Sequence, residues 1–203
     1  MRGRRLTWTI GGIGLIASGV AGILLSATLG SSLTDFLGFL VDILWAGACL
    51  VFAIGGSTRD SVTARRPLGT TTLVLLALWS LAMRVVGLFQ DPMNPTPLIP
   101  WEVSTFVPLA LGIVAVVQIA RAGVVPRRWR WTPAIALGVQ VASVALGQLL
   151  MMDPATAMQA IGLASALGML GFLAGTVGLG IIALVAVASE RPASVAVYSS
   201  PTE

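Results

Sequence analysis

Asp42 and Arg84 are the two ionisable side chains that interrupt otherwise apolar stretches of this 203-residue chain. A charge near the middle of a membrane-spanning helix costs about 2.5 to 3.5 kcal/mol on insertion scales, so each needs a partner, a head group or water. Asp42 lies about six residues, or roughly 9 Å, below one end of its stretch; Arg84 lies about five residues, or roughly 7.5 Å, below the matching end of the next. Their depths agree. An Asp42–Arg84 ion pair in the outer half of the membrane is therefore expected. Three roles fit these groups: mutual neutralisation that fixes helix register, Arg84 reaching out to head groups or to Asp91 and Glu102 while Asp42 faces water, or a polar cavity that binds a solute or relays a proton.

Gln118, Gln140 and Gln148 are the other large polar side chains singled out within apolar runs. Gln140 and Gln148 are eight residues apart and share a helix face. Such groups either form interhelical hydrogen bonds, worth about 0.6 to 2 kcal/mol, or line a candidate polar cavity. Pro108 removes a backbone donor from its run and predicts a kink.

Missing residue types exclude most catalytic chemistry. The chain has no His, and all twelve of its basic residues are Arg. Haem held by His, the usual catalytic zinc sites, a Ser-His dyad and a Lys Schiff base are therefore out of reach. Asp42 has no second carboxylate at its depth to form an aspartyl dyad. A phosphate-binding loop is missing too. Cys49 is the single cysteine and forms no intramolecular disulfide. No enzymatic activity, cofactor or metal is expected, and a net charge of +4 is no argument for nucleic acid.

The elements that must position Asp42 and Arg84 follow from composition. Only 10% of the residues are charged and 56% are hydrophobic, with a mean hydropathy of +0.93, which excludes a water-soluble globule. Six apolar stretches are each long enough to cross about 30 Å of hydrocarbon: 8–29, 36–54, 70–89, 101–120, 132–151 and 156–188. The fold class expected is an all-α integral membrane protein of six transmembrane helices arranged as three tandem hairpins. Residues 1–7 form a basic N-terminus, 8–188 the bundle, and 189–203 a disordered tail.

Arginines orient the bundle, because basic connections are retained in the cytoplasm. Arg2, Arg4 and Arg5 precede the first stretch, Arg59, Arg65 and Arg66 follow the second, Arg121, Arg127, Arg128 and Arg130 follow the fourth, and Arg191 follows the sixth. The alternate connections carry Asp35, Asp91 and Asp153, with Glu102 heading the fourth stretch, and no Arg. Both termini are expected in the cytoplasm. A cleavable signal ending at Ser26-Ala27-Thr28 is the alternative for the first stretch, but its run of about 22 residues exceeds the 7 to 15 of a signal peptide. The absence of Lys beside 23 Gly suits a bacterial genome rich in G and C, hence the bacterial plasma membrane.

The connection from Gln90 to Pro100 holds Pro92, Pro95, Pro97 and Pro100, which excludes a regular helix and predicts a stiff cap. Trp8, Trp101, Trp129 and Trp131 fall at the ends of stretches, where indoles settle at head-group depth. Arg127, Arg128 and Arg130 alternate with indoles in a stretch expected to hold anionic lipid heads.

Small residues recur every four positions at Gly14, Ser18 and Gly22, and again at Gly171 and Gly175. That spacing lets a neighbouring backbone come close, either inside the bundle or on a membrane-protein partner or second copy. Packing surfaces outnumber reactive groups, so the expected function is a non-catalytic accessory subunit. The alternative is a small transporter or solute-binding component with its cavity near Asp42 and Arg84.

Overall fold

Away from water, backbone N–H and C=O groups must be satisfied within their own segment, and a helix does this. The computed structural model describes residues 2–28, 33–57, 60–90, 98–152 and 154–189, which are helical apart from short connections, with no strand among them. The helices are α1 (Arg2–Ala27), α2 (Leu33–Ile54), α3 (Pro67–Leu88), α4 (Trp101–Ala122), α5 (Thr132–Met151), α6 (Pro154–Leu173) and α7 (Leu179–Ala188). A π-helical segment, Ala174–Gly178, joins α6 to α7, so these two form one continuous span. Six spans are thus long and apolar enough to cross a membrane. Arg59, Asp91, Asp153 and Arg191, the prolines at 92, 95 and 97, and the tail from 190 onward lie outside the described residues.

Local chemistry sets several boundaries. Pro67 opens α3 at a position where its missing donor costs nothing, so α3 starts three residues before the apolar run at Thr70. Gly123, at φ 68°, ends α4 in the left-handed conformation. The basic N-terminal segment is not separate from the first span: α1 starts at Arg2 rather than Trp8. The reason is that Arg4 is used inside the fold, where its Nη2 donates to the carbonyl of Val124 at 2.8 Å and its guanidinium lies 5.1 Å from the Trp8 ring centroid.

Each span packs on the next in sequence, and α7 returns to α1, so the order of packing is cyclic. The α1–α2 and α5–α6 faces are extensive, whereas α4 and α5 meet sparsely. Small residues permit the closest crossings. A β-carbon on Gly180 would stand 2.7 Å from the carbonyl oxygen of Gly12, so α1 and α7 touch backbone to backbone. Gly14 faces Ala48 of α2, Gly22 faces the Phe172 ring of α6, and Gly171 faces Gln140 and Ser143 of α5. Ser18 is fully buried and donates its hydroxyl to the Val41 carbonyl at 3.0 Å. These faces are occupied within the chain. Gly175 differs, because a β-carbon there would meet nothing within 4 Å.

Candidate functional site

Asp42 stands on α2 and Arg84 on α3, which pack together. Arg84 donates from Nε to Oδ2 of Asp42 at 2.6 Å. The Arg84 side chain is 34% exposed and that of Asp42 21%, so the pair borders a space instead of lying sealed in a core. Gly38, one turn from Asp42, makes room for it: a β-carbon there would sit 2.8 to 2.9 Å from Nη1, Cζ and Nη2 of Arg84. The guanidinium lies against bare backbone.

Two cavities share Asp42 as a lining residue. One, of about 480 Å³, opens among α2, α3 and α4 and is lined by Asp35, Phe39, Trp79, Arg84 and Ser104 among others. The second is a central chamber of about 440 Å³ that takes lining residues from all six spans. Asp42 and Ser80 line both. In the chamber Asp42 is the only charged lining side chain among the described residues, and Trp8, Trp45, Phe52, Trp129 and Phe172 line the same space. The volume falls within the 300 to 1,000 Å³ range usual for small-molecule sites.

One end of the chamber is bordered by residues 60–66 of the α2–α3 connection. Val62 lines the chamber and its backbone N–H donates to Phe52 at 3.0 Å. Ser61 and Thr63 are fully buried; Ser61 donates to the Ala53 carbonyl at 2.7 Å, and its hydroxyl lies 3.0 Å from that of Thr63. Arg65 holds the carbonyls of Ile54 and Gly55 at 2.9 and 3.0 Å. Gly55 must be glycine, since its φ is +57° and a β-carbon would stand 2.6 Å from the Ser61 nitrogen. Satisfied polar groups and a positive-φ turn thus make a floor from what composition suggests is an exposed loop.

Trp8 completes the floor and corrects an expectation. It is 4% exposed, and its indole N–H donates to the backbone carbonyl of Asp60 at 2.9 Å, so it is a core residue and not a head-group anchor. Trp129 also turns inward to line the chamber, and its indole nitrogen is buried without a hydrogen-bond partner among the described residues. Trp101 and Trp131 are exposed, at 63% and 57%. Arg127 and Arg128 are exposed and Arg130 half-buried, with Arg128 and Arg130 stacked over Trp129 and Trp131 at 5.5 and 5.6 Å.

The glutamines are not gathered together. Gln140 lines the chamber, Gln118 lies against Gly69 of α3, and Gln148 is exposed on α5. Eight residues put Gln140 and Gln148 on one helix face, but the chamber ends before the second. Gly175 lines the chamber, whereas Gly14, Ser18, Gly22 and Gly171 do not.

Sequence reasoning missed Asp60, Trp45 and Trp79. Asp60 is 8% exposed, and its Oδ2 would lie 2.8 Å from a β-carbon on Gly3 in the first turn of α1, where helix N–H groups favour a carboxylate. Its arginine neighbours in sequence hid it. Trp45 and Trp79 carried a usable signal: both sit well inside spans, away from the depth at which indoles anchor to head groups.

No protein-family model, curated protein or solved structure matches this chain.

Proposed function

We propose that the protein is a non-catalytic solute-binding membrane component, either a small transporter or the binding subunit of one, whose ligand occupies the central chamber. One observation carries this reading: Asp42 lines both the chamber and the neighbouring cavity and is held by Arg84. A charged pair used only to set register needs no cavity on either side. Two cavities that share a charged side chain on their walls suit a path with a gate.

In this reading both termini lie in the cytoplasm of a bacterial cell, the six spans form three hairpins, and the cavity beside Arg84 opens outward. Arg127, Arg128 and Arg130 rest on anionic lipid heads, each contributing about 1 kcal/mol at the surface. An accessory role through small-residue faces has less support, because Gly14, Ser18, Gly22 and Gly171 are occupied within the chain.

Gly175 supplies the test. A phenylalanine there has room to fill the chamber, since a β-carbon meets nothing within 4 Å. The neutral dye N-phenyl-1-naphthylamine should bind the protein saturably in lipid nanodiscs, with energy transfer from the chamber tryptophans. Gly175→Phe should abolish that binding while leaving Tm unchanged or raised. Equal saturable binding by the variant would reject the chamber as the site.

A further inference from the structure

Resting on the chamber reading above, we propose that the ligand is a hydrophobic organic cation, admitted by exchanging with Arg84 on the carboxylate of Asp42. The chamber's chemistry selects the sign of charge. Among the described residues, Asp42 is the one charged side chain on its wall, and no Arg lines the space. An anion inside would meet a carboxylate and no cation. A cation meets that carboxylate together with Trp45, Phe52 and Phe172, aromatic residues whose π faces are negative and attract positive charge; Trp8 and Trp129 line the space too, and each already carries an arginine guanidinium, at 5.1 and 5.5 Å.

The route to the chamber has the same bias. Among the described residues, the neighbouring cavity is lined by two carboxylates, Asp35 and Asp42, against one guanidinium, Arg84, with Phe39 and Trp79 beside them. Asp35 is exposed at the start of α2, so a cation entering there is drawn first by Asp35 and then by Asp42.

Arg84 is built to give way. It holds Asp42 through one Nε–Oδ2 contact and not through a two-point fork, and its side chain already borders the cavity. Its long stem lets the guanidinium swing toward the membrane surface as the ligand's positive centre takes its place. Asp42 keeps a cationic partner throughout, so no lone carboxylate is left in the bilayer. The guanidinium serves as a resident substitute for the ligand.

The experiment uses the full chain in nanodiscs of zwitterionic lipid and two ions of matched size, tetraphenylphosphonium and tetraphenylborate. Binding is read by quenching of tryptophan fluorescence, counting only the part that Gly175→Phe removes. The phosphonium should bind at least tenfold more tightly than the borate and displace N-phenyl-1-naphthylamine. Asp42→Asn should weaken phosphonium binding at least tenfold and leave the neutral dye bound. Arg84→Gln should tighten phosphonium binding severalfold; so should Gly38→Ala, which drives the guanidinium off its seat while keeping both charges in the chain. Borate binding as tightly as phosphonium, or Asp42→Asn without effect, would overturn the cation inference while the dye still marks a working chamber. Unchanged phosphonium affinity in both Arg84→Gln and Gly38→Ala would overturn the exchange. If the dye and both ions fail to bind, the chamber reading falls and takes this inference with it.

Discussion

At the scale of single residues, the Asp42–Arg84 contact can be read from depth alone, because two consecutive spans place opposite charges at matching distances from their shared end. Breaking a fully buried pair costs about 3 to 5 kcal/mol and an exposed one about 0 to 1. With side chains 34% and 21% exposed, an intermediate loss of about 1 to 3 kcal/mol is expected for Asp42→Asn or Arg84→Gln. Unfolding in nanodiscs should show the double variant losing less than the sum of the two, since it leaves no orphan charge. Strict additivity would mean that the two groups do not interact. Gly38 was not legible in this way. Its role depends on where the guanidinium folds back along α2, and no spacing rule encodes a side chain's path.

At the scale of elements, α1 organises the bundle by packing on both α2 and α7. Repeats of small residues mark such faces in a sequence without saying which helix they meet. The backbone-to-backbone crossing at Gly12 and Gly180 gives a test: Gly180→Val should push α7 from α1 and lower stability by about 2 kcal/mol or more, as overpacking does, seen as a lower Tm and reduced yield. An unchanged Tm would show that this crossing yields freely. The floor is a second element-scale feature. Gly55→Val forces a branched side chain into a positive φ and onto the Ser61 nitrogen, so it should loosen the 55–66 connection. Cys49, which lines the chamber, should then react faster with a membrane-impermeant maleimide; labelling no faster than in the unaltered protein would argue against a floor there.

The π-helical segment belongs to the same scale. Sequence periodicity reads 156–188 as one helix, and the chain does continue as one, but Ala174–Gly178 carries wider turns. Thr176 sits there, 2% exposed, donating back to the Phe172 carbonyl at 2.8 Å. One residue turns an α-helix by about 100°, so deleting Gly178 should leave a spanning helix whose α7 face no longer presents Ile182 and Ala183 to the chamber. Dye binding should fall while membrane insertion persists. Binding at full strength would mean the wide turn has no part in shaping the wall.

At the scale of the whole molecule, arginines predict which end faces the cytoplasm. Reporters fused to either terminus should both be cytoplasmic, and one inserted in the connection at residues 91–97 should be external. A reversed or mixed pattern would place Asp35 and Arg84 on the other side and invert the proposed path.

Number and length of the apolar spans, their all-helical character and the pairing of the two charges that interrupt them could be read from the chain by itself, because the cost of unsatisfied backbone and of lone charges in lipid is so large that few arrangements survive it. The chamber could not. Its wall collects Trp8, Trp45 and Phe172 from three different spans and Trp129 from the turn before α5, and whether an apolar residue faces lipid or cavity changes neither its composition nor its hydropathy. Only the cyclic packing of the helices, with Gly12 against Gly180 and the α2–α3 connection at one end, decided that these residues share a space with Asp42.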